Sequence, residues 1–196
     1  MKKFNNARAQ GGFSLIELLL VLAIVAALAV AAFIVYPRVQ AGRNATYESQ
    51  VLSSAQAGVK ALFTTNNYAN LTNDVATDAE IFPANMNVGD GDIQNQWNGA
   101  VEIEPSNSDG SDFSGTGPAR YFRIVYPDVP TDVCIRLAGA AVQNFGTVLV
   151  GTTPVQDTYT AGTIVDLDEA AIALECRGGA ASGGSGGRAE ITFVSN

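Results

Sequence analysis

The chain contains no histidine, which removes the side chain that most often serves as general base or transition-metal ligand near neutral pH. Basic residues are scarce, 11 against 19 acidic. Three of the 11, Lys2, Lys3 and Arg8, stand in the first eight residues, and Lys60 is the only lysine after them. Losing those three would take the formal charge from −8 to −11. So acidic a body repels nucleic acid and anionic membrane surfaces, and no nucleic-acid partner is expected. The Gly178 to Gly187 tract is not followed by Gly-Lys-Ser/Thr and opens no helix, so it is no phosphate cradle; without apolar anchors it is expected to be a flexible loop. Asp90-Gly91-Asp92 and Asp166-Leu167-Asp168-Glu169 lack the alternating acids and distal glutamate of an EF-hand. They read as solvated loop acids and a helix N-terminus. No catalytic residue, metal site or cofactor is expected, and there is no internal repeat.

What the chain does have is a long apolar run near its start. From Phe13 to Tyr36, 24 residues carry one charge, Glu17. As a helix they reach roughly 36 Å, enough for a hydrocarbon core of about 30 Å. A carboxylate inside such a span is costly, on the order of 2.5 to 3.5 kcal/mol at mid-bilayer and less near an end, so Glu17 needs a counter-charge. A cut between Gly12 and Phe13 would create an α-amine one helical turn away on the same face, in this chain or a neighbour. The basic leader from Met1 to Gly12 favours retention in the cytoplasm, with the remainder facing outward.

Two plainer readings compete. A secretory signal also begins basic and continues apolar, and Ala29-Val30-Ala31 would pass as its cleavage site. The run is too long for that, carries Glu17, and would leave a mature end opening on Ala-Phe-Ile-Val-Tyr. The other is an uncleaved anchor with Glu17 close to the interface.

The basic leader, Gly12-Phe13-Ser14-Leu15-Ile16-Glu17 and the apolar run strongly resemble the class III signal of type IV pilins. That resemblance implies cutting by a prepilin peptidase after Gly12, N-methylation of Phe13, and a role for Glu17 in meeting a neighbour's N-terminal amine as helices pack into a filament. The head resembles type IVb pilins of the thin-pilus and conjugative kind in Trp97-Asn98-Gly99-Ala100-Val101, in Tyr126 to Pro130 and on to Cys134, and in Ile191 to Asn196. It departs at Asn98-Gly99, where a Gly pair is expected, and in a mature N-terminal phenylalanine, which is usual in the type IVa branch.

Two cysteines allow one pairing, and in a chain that leaves the cytoplasm Cys134 is expected to bond Cys176. The segment they enclose is expected to form the outward edge of the head. Past the apolar run, Val51, Ala55 and Val59, with Leu52, Leu62 and Phe63 alongside, mark an amphipathic continuation of the helix, interrupted near Pro37 and Gly42. Thr64 to Asn67 ends it. A short helix capped by Thr72 or Asn73 and closed by Phe82-Pro83 is predicted next. Strands are expected at 100–104, 120–126, 147–150 and 189–194, with 105–118 and 151–162 as loops. Helices are predicted from a Thr131 or Asp132 cap through Cys134 and Leu137, and from Asp168 to Cys176.

The expected fold is therefore α+β, a pilin fold with a long N-terminal helix on an antiparallel sheet. Its parts are a leader 1–12, a membrane and assembly helix 13–36, an amphipathic continuation 37–63 and a globular head 64–196. The expected role is that of a structural pilus subunit, a fimbrial protein serving adhesion, motility, DNA uptake or conjugation. It would be held in the bacterial inner membrane as precursor and then exported into a surface filament. Its partners would be itself, the prepilin peptidase and the inner-membrane assembly machinery. Alternatives are a type II secretion pseudopilin, or a low-copy adhesive pilin or membrane-anchored binding domain.

Overall fold

The computed structural model describes residues 14–162, 164–178 and 187–196, and the chain divides into two compact units, 1–40 and 41–196. Helix α1, Leu15–Leu62, begins in the first unit and ends in the second. Pro37 lies inside α1, and the helix also continues through Gly42, so neither interrupts it in the single subunit as the sequence suggested. A proline removes one hydrogen bond and costs about 3 kcal/mol, and a glycine about 1 kcal/mol. With many helix-forming residues on both sides, those local costs do not end the helix.

From Ala41 onward the buried residues of α1 are Ala41, Ala45, Glu48, Val51, Leu52, Ala55 and Val59, spaced at threes and fours along one face. Leu62 departs from the expected stripe and is exposed. The stripe instead passes to Phe63, just beyond the helix end, whose ring packs on Tyr68 at 5.7 Å.

Helix α2, Asn73–Asp78, is capped by Thr72, whose Oγ1 accepts from the Val75 N–H at 3.3 Å. It ends earlier than Phe82-Pro83, because Glu80 takes a left-handed φ of 51° and turns the chain away. Strands β1, Asn87–Gly89, and β2, Asp92–Gln94, then form a hairpin. Its two turn residues, Asp90 and Gly91, both have positive φ, as a tight right-twisted hairpin requires. The first acidic candidate for calcium is thus a hairpin turn. Strands β3, Ala100–Ser106, and β4, Tyr121–Pro130, bury alternate residues, Val101 and Ile103 on one and Phe122, Ile124 and Tyr126 on the other.

Helix α3, Thr131–Ala141, has Pro130 at its N-cap with no side-chain cap, so the expected Thr131 or Asp132 cap is corrected. Thr131 is already the first helical residue, and its hydroxyl donates to the Gly187 carbonyl. Strand β5, Thr147–Val150, pairs with β6, Thr153–Asp157, inside the segment expected to be loop. Pro154 concealed it. With no N–H to give, proline suits an edge strand, and β6 is the last in the sheet. Helix α4, Glu169–Gly178, is followed in the described chain by β7, Arg188–Ser195. The strand order is β1-β2-β3-β4-β7-β5-β6, with every pair antiparallel.

Glycine 99 shows how tightly the β2–β3 connection is drawn. Asn95 Oδ1 accepts from the N–H groups of Trp97 and Gly99 at 2.9 Å each, while its Nδ2 donates to the Pro127 carbonyl at 2.7 Å. A Cβ on Gly99 would strike the Pro127 carbonyl oxygen and Asn95 Nδ2. Gly99→Ala is therefore expected to destabilise the head by about 1–3 kcal/mol, read as a lower denaturant midpoint.

Candidate functional site

The part of the chain least explained by its own fold is the start of α1. Residues 14–39 are all exposed, Leu15 at 75% and Phe33 at 80%. The most apolar window of α1 has a mean hydropathy of 3.2 with none of it buried. An apolar surface of that extent in water would collapse or aggregate. It needs lipid, or other helices of the same kind.

Glu17 lies in the first turn of this helix and is exposed. The only ion pairs among the described residues belong to Arg123, so no cation described in the subunit pairs with Glu17. Its carboxylate stands where a helix N-terminus favours negative charge. Gly12 and Phe13 lie outside the described residues, as do 179–186 of the glycine tract.

In the head, Cys134 and Cys176 are bonded, with Cα atoms 5.8 Å apart and both residues fully buried. The bond joins α3 to α4. The second acidic candidate for calcium also finds a structural role, since Asp168 Oδ1 accepts from the Ala171 N–H at 2.9 Å and caps α4. Among the described residues no three His, Cys, Asp or Glu side chains gather.

Two polar arrangements escaped the sequence analysis. Arg123 donates to Glu104 Oε1 at 2.6 Å, to Asp112 Oδ1 at 2.5 Å and to the Gly110 carbonyl at 2.5 Å, tying the 107–120 loop back to the sheet. Glu48 is fully buried on the inner face of α1, and Tyr126 Oη donates to its Oε2 at 2.9 Å. Spacing could have revealed Glu48, which stands three before Val51 and seven before Ala55 on the buried stripe.

Burial raises the Glu48 pKa above its ordinary 4.5, and hydrogen bonding to Tyr126 and Gln96 offsets this only in part. A raised acid in the folded state is a stabilising proton site at low pH. Its contribution is complete below about 4.5 and is lost as pH rises through the folded value. Asp157 behaves oppositely. Burial pushes it up, but bonds from Thr160, Thr147 and Tyr159 outweigh that and hold it below 3.8, so its contribution disappears only in stronger acid. Glu48→Gln is expected to flatten the loss of stability as pH rises above 4.5, measured as denaturant midpoints of the purified subunit in detergent. An unchanged slope would place the pH dependence elsewhere.

The sequence profile described as PilS N terminal matches residues 42–196, and that described as the prokaryotic N-terminal methylation motif matches residues 7–33. No curated protein sequence matches. Among solved structures, the chain is similar to TcpA, a type IV pilin from Vibrio cholerae El Tor biotype. The two are 13% identical, with a TM-score of 0.54, over 79% of this chain and 99% of that one. It is also similar to a type IV b pilin from Salmonella typhi, at 15% identity and a TM-score of 0.52, over 76% of this chain and 97% of the other. At such identities the likeness is one of fold.

Proposed function

Because this chain belongs to the PilS N-terminal family and has the type IV pilin fold, we propose that it is a major structural subunit of a type IV pilus, polymerised through α1. The fold is that of a structural subunit rather than an enzyme. The observation that carries this reading is the exposed apolar length of α1 from residue 15 to 39, with one acid in its first turn. That surface suits lipid before assembly and the same surface of neighbouring subunits afterwards. In this account Gly12 and Phe13 supply the cleavage bond and the methylated amine, the inner membrane holds the precursor, and the filament stands outside the cell. Pro37 remains the expected weak point, where a segment including Gly42 unwinds in the filament.

The test is intact mass and N-terminal sequencing of the subunit recovered from sheared filaments. A chain beginning at Phe13 with one added methyl group is expected, abundant enough to be the main filament protein. A subunit beginning at Ala32, or one retaining Lys2 and Lys3, would contradict the processing. Recovery only as a trace component, or only from periplasmic fibres, would contradict the role of major pilin.

A further inference from the structure

Where the sheet ends beside the turn that follows α1, Asn66, Arg120, Tyr121 and Asn196 line an open cleft of about 390 Å³. That volume stands at the lower end of what small-ligand sites occupy. Asn66 lies in the turn after α1, Arg120 and Tyr121 lead into β4, and Asn196 follows β7. Strands β4 and β7 are neighbours, and Phe122 faces Ser195 across the ladder, so the start of one strand and the end of the other are held together. Asn67 Oδ1 accepts from the Ala119 N–H at 3.1 Å, which ties the turn to the same place.

The Tyr121 ring packs on that of Tyr159, with centroids 5.2 Å apart. Tyr159 is fixed from two further sides. Its hydroxyl donates to Asn196 Oδ1 at 3.1 Å, and its ring lies against Gly146, where an added Cβ would strike it. The aromatic wall is therefore set before any ligand arrives. Beside it, neither the Arg120 guanidinium nor the Asn66 side chain has an ion pair or hydrogen bond among the described residues. Acids of the adjoining strands are engaged elsewhere: Glu104 and Asp112 with Arg123, and Asp157 with Thr147 and the N–H groups of Tyr159 and Thr160. Tyr68, two residues after Asn66, is fully buried with its hydroxyl unpartnered. Burial raises its pKa and the Tyr159 phenol adds to the shift, so the unsatisfied hydroxyl lies within electrostatic reach of the wall.

This combination restricts the ligand. A fully apolar one would strip water from two amides and a guanidinium without replacing their hydrogen bonds. A nucleotide or polyphosphate carries more negative charge than one guanidinium balances, on a chain of formal charge −8. A bare carboxylate leaves the aromatic face and the amides unused. A pyranose bearing one carboxylate matches each part: a C–H face for a tyrosine ring, hydroxyls that donate and accept for planar amides, and a planar anion for a guanidinium fork.

We propose that this cleft binds a carboxylated pyranose, a hexuronate or a sialic acid, with the carboxylate on Arg120, the sugar ring against Tyr121 and its hydroxyls on Asn66 and Asn196. The site goes beyond the assembly role and needs no second copy of the chain.

Ligand-observed NMR titrations of the full-length subunit in detergent test it. The probes are methyl β-D-glucuronide and the methyl glycoside of N-acetylneuraminic acid, with methyl β-D-glucoside and propionate as controls. At least one acidic sugar should bind with a Kd on the order of 1 mM, the level expected of a monosaccharide, and both controls at least about tenfold more weakly. Which acidic sugar binds separates a uronic-acid polymer from a sialylated glycoconjugate as the source, and either one supports the site. Arg120→Gln should weaken that binding at least about tenfold. Asn66→Asp should do the same, because it sets a second carboxylate against the ligand's own while keeping a residue that tolerates the left-handed φ of 51°. Both residues are exposed, so both variants should keep the wild-type denaturant midpoint. No binding of either acidic sugar up to about 20 mM, equal binding of a control, or wild-type affinity in either variant would overturn the site. Filament assembly, and with it the pilus-subunit reading, would be untouched by any of these.

Discussion

Replacing Cys134 and Cys176 together by serine is expected to lower the stability of the head by about 4 kcal/mol, the chain-entropy value for a closed loop with a sequence separation of 42. That is a large share of the roughly 5 to 15 kcal/mol that holds a typical domain folded. The local structure explains why the bond matters. Helix α4 has ten residues and buries only Ile172 and Cys176 among them. Without the bond the buried apolar anchoring of α4 would come down to Ile172 and the half-buried Ala171, beside the Asp168 cap. The enclosed segment also includes β6, an edge strand interrupted by Pro154. In denaturant titrations of the purified subunit in detergent, reductant should lower the midpoint of the wild type and leave the double variant unchanged. In cells the variant should still be processed, since its first 33 residues are intact, but should yield few, protease-sensitive filaments. Filaments of normal number and heat resistance would show the bond to be incidental.

Glu17→Ala is expected to leave export and cleavage intact while filament number falls below detection. The described subunit offers Glu17 no ionic partner, and a carboxylate in apolar surroundings costs several kcal/mol unless paired. In the function proposed above, the partner is the amine that cleavage before Phe13 would create, on the same chain or a neighbour. Alanine removes the cost of burying the acid along with its attraction, so insertion should improve slightly while registration of one helix against the next is lost. Electron micrographs of the variant, beside immunoblots of cleaved subunit in the membrane, separate these effects. Normal filament numbers would show that Glu17 is not needed for assembly, and a loss of cleavage would move its role to recognition by the peptidase. Glu17→Gln, which keeps shape without charge, should fail as alanine does if the ionic attraction is what matters.

The N-terminal signal was legible because its information is local. A glycine, an acid five residues on and an uninterrupted apolar run state their chemistry without reference to the rest of the chain. The same holds for elements with clean periodicity. Phe122, Ile124 and Tyr126 alternate and form a strand, while Val51, Ala55 and Val59 recur at fours and form a helical face. Legibility failed where a residue type misreports its surroundings. Pro154 and its flanking glycines and threonines look like a loop, yet stand in β6 because an edge strand does not need the missing N–H. Pro37 looks like a helix break, yet α1 absorbs it.

What the sequence alone determined is the class of the N-terminal signal, the apolar helix that follows it and the single possible disulfide, since each depends on composition and spacing within a short window. What only the tertiary structure decided is how distant segments meet. Strand β7, the last in the chain, inserts between β4 and β5 at the centre of the sheet, and no local pattern in 188–195 names those neighbours. Glu48 and Tyr126, 78 residues apart, become partners in the core; the spacing of Glu48 marks it as inward-facing but does not name Tyr126. Pairings of this kind are set by which apolar faces can be buried together, and burial is a property of the whole packed head, not of any stretch within it.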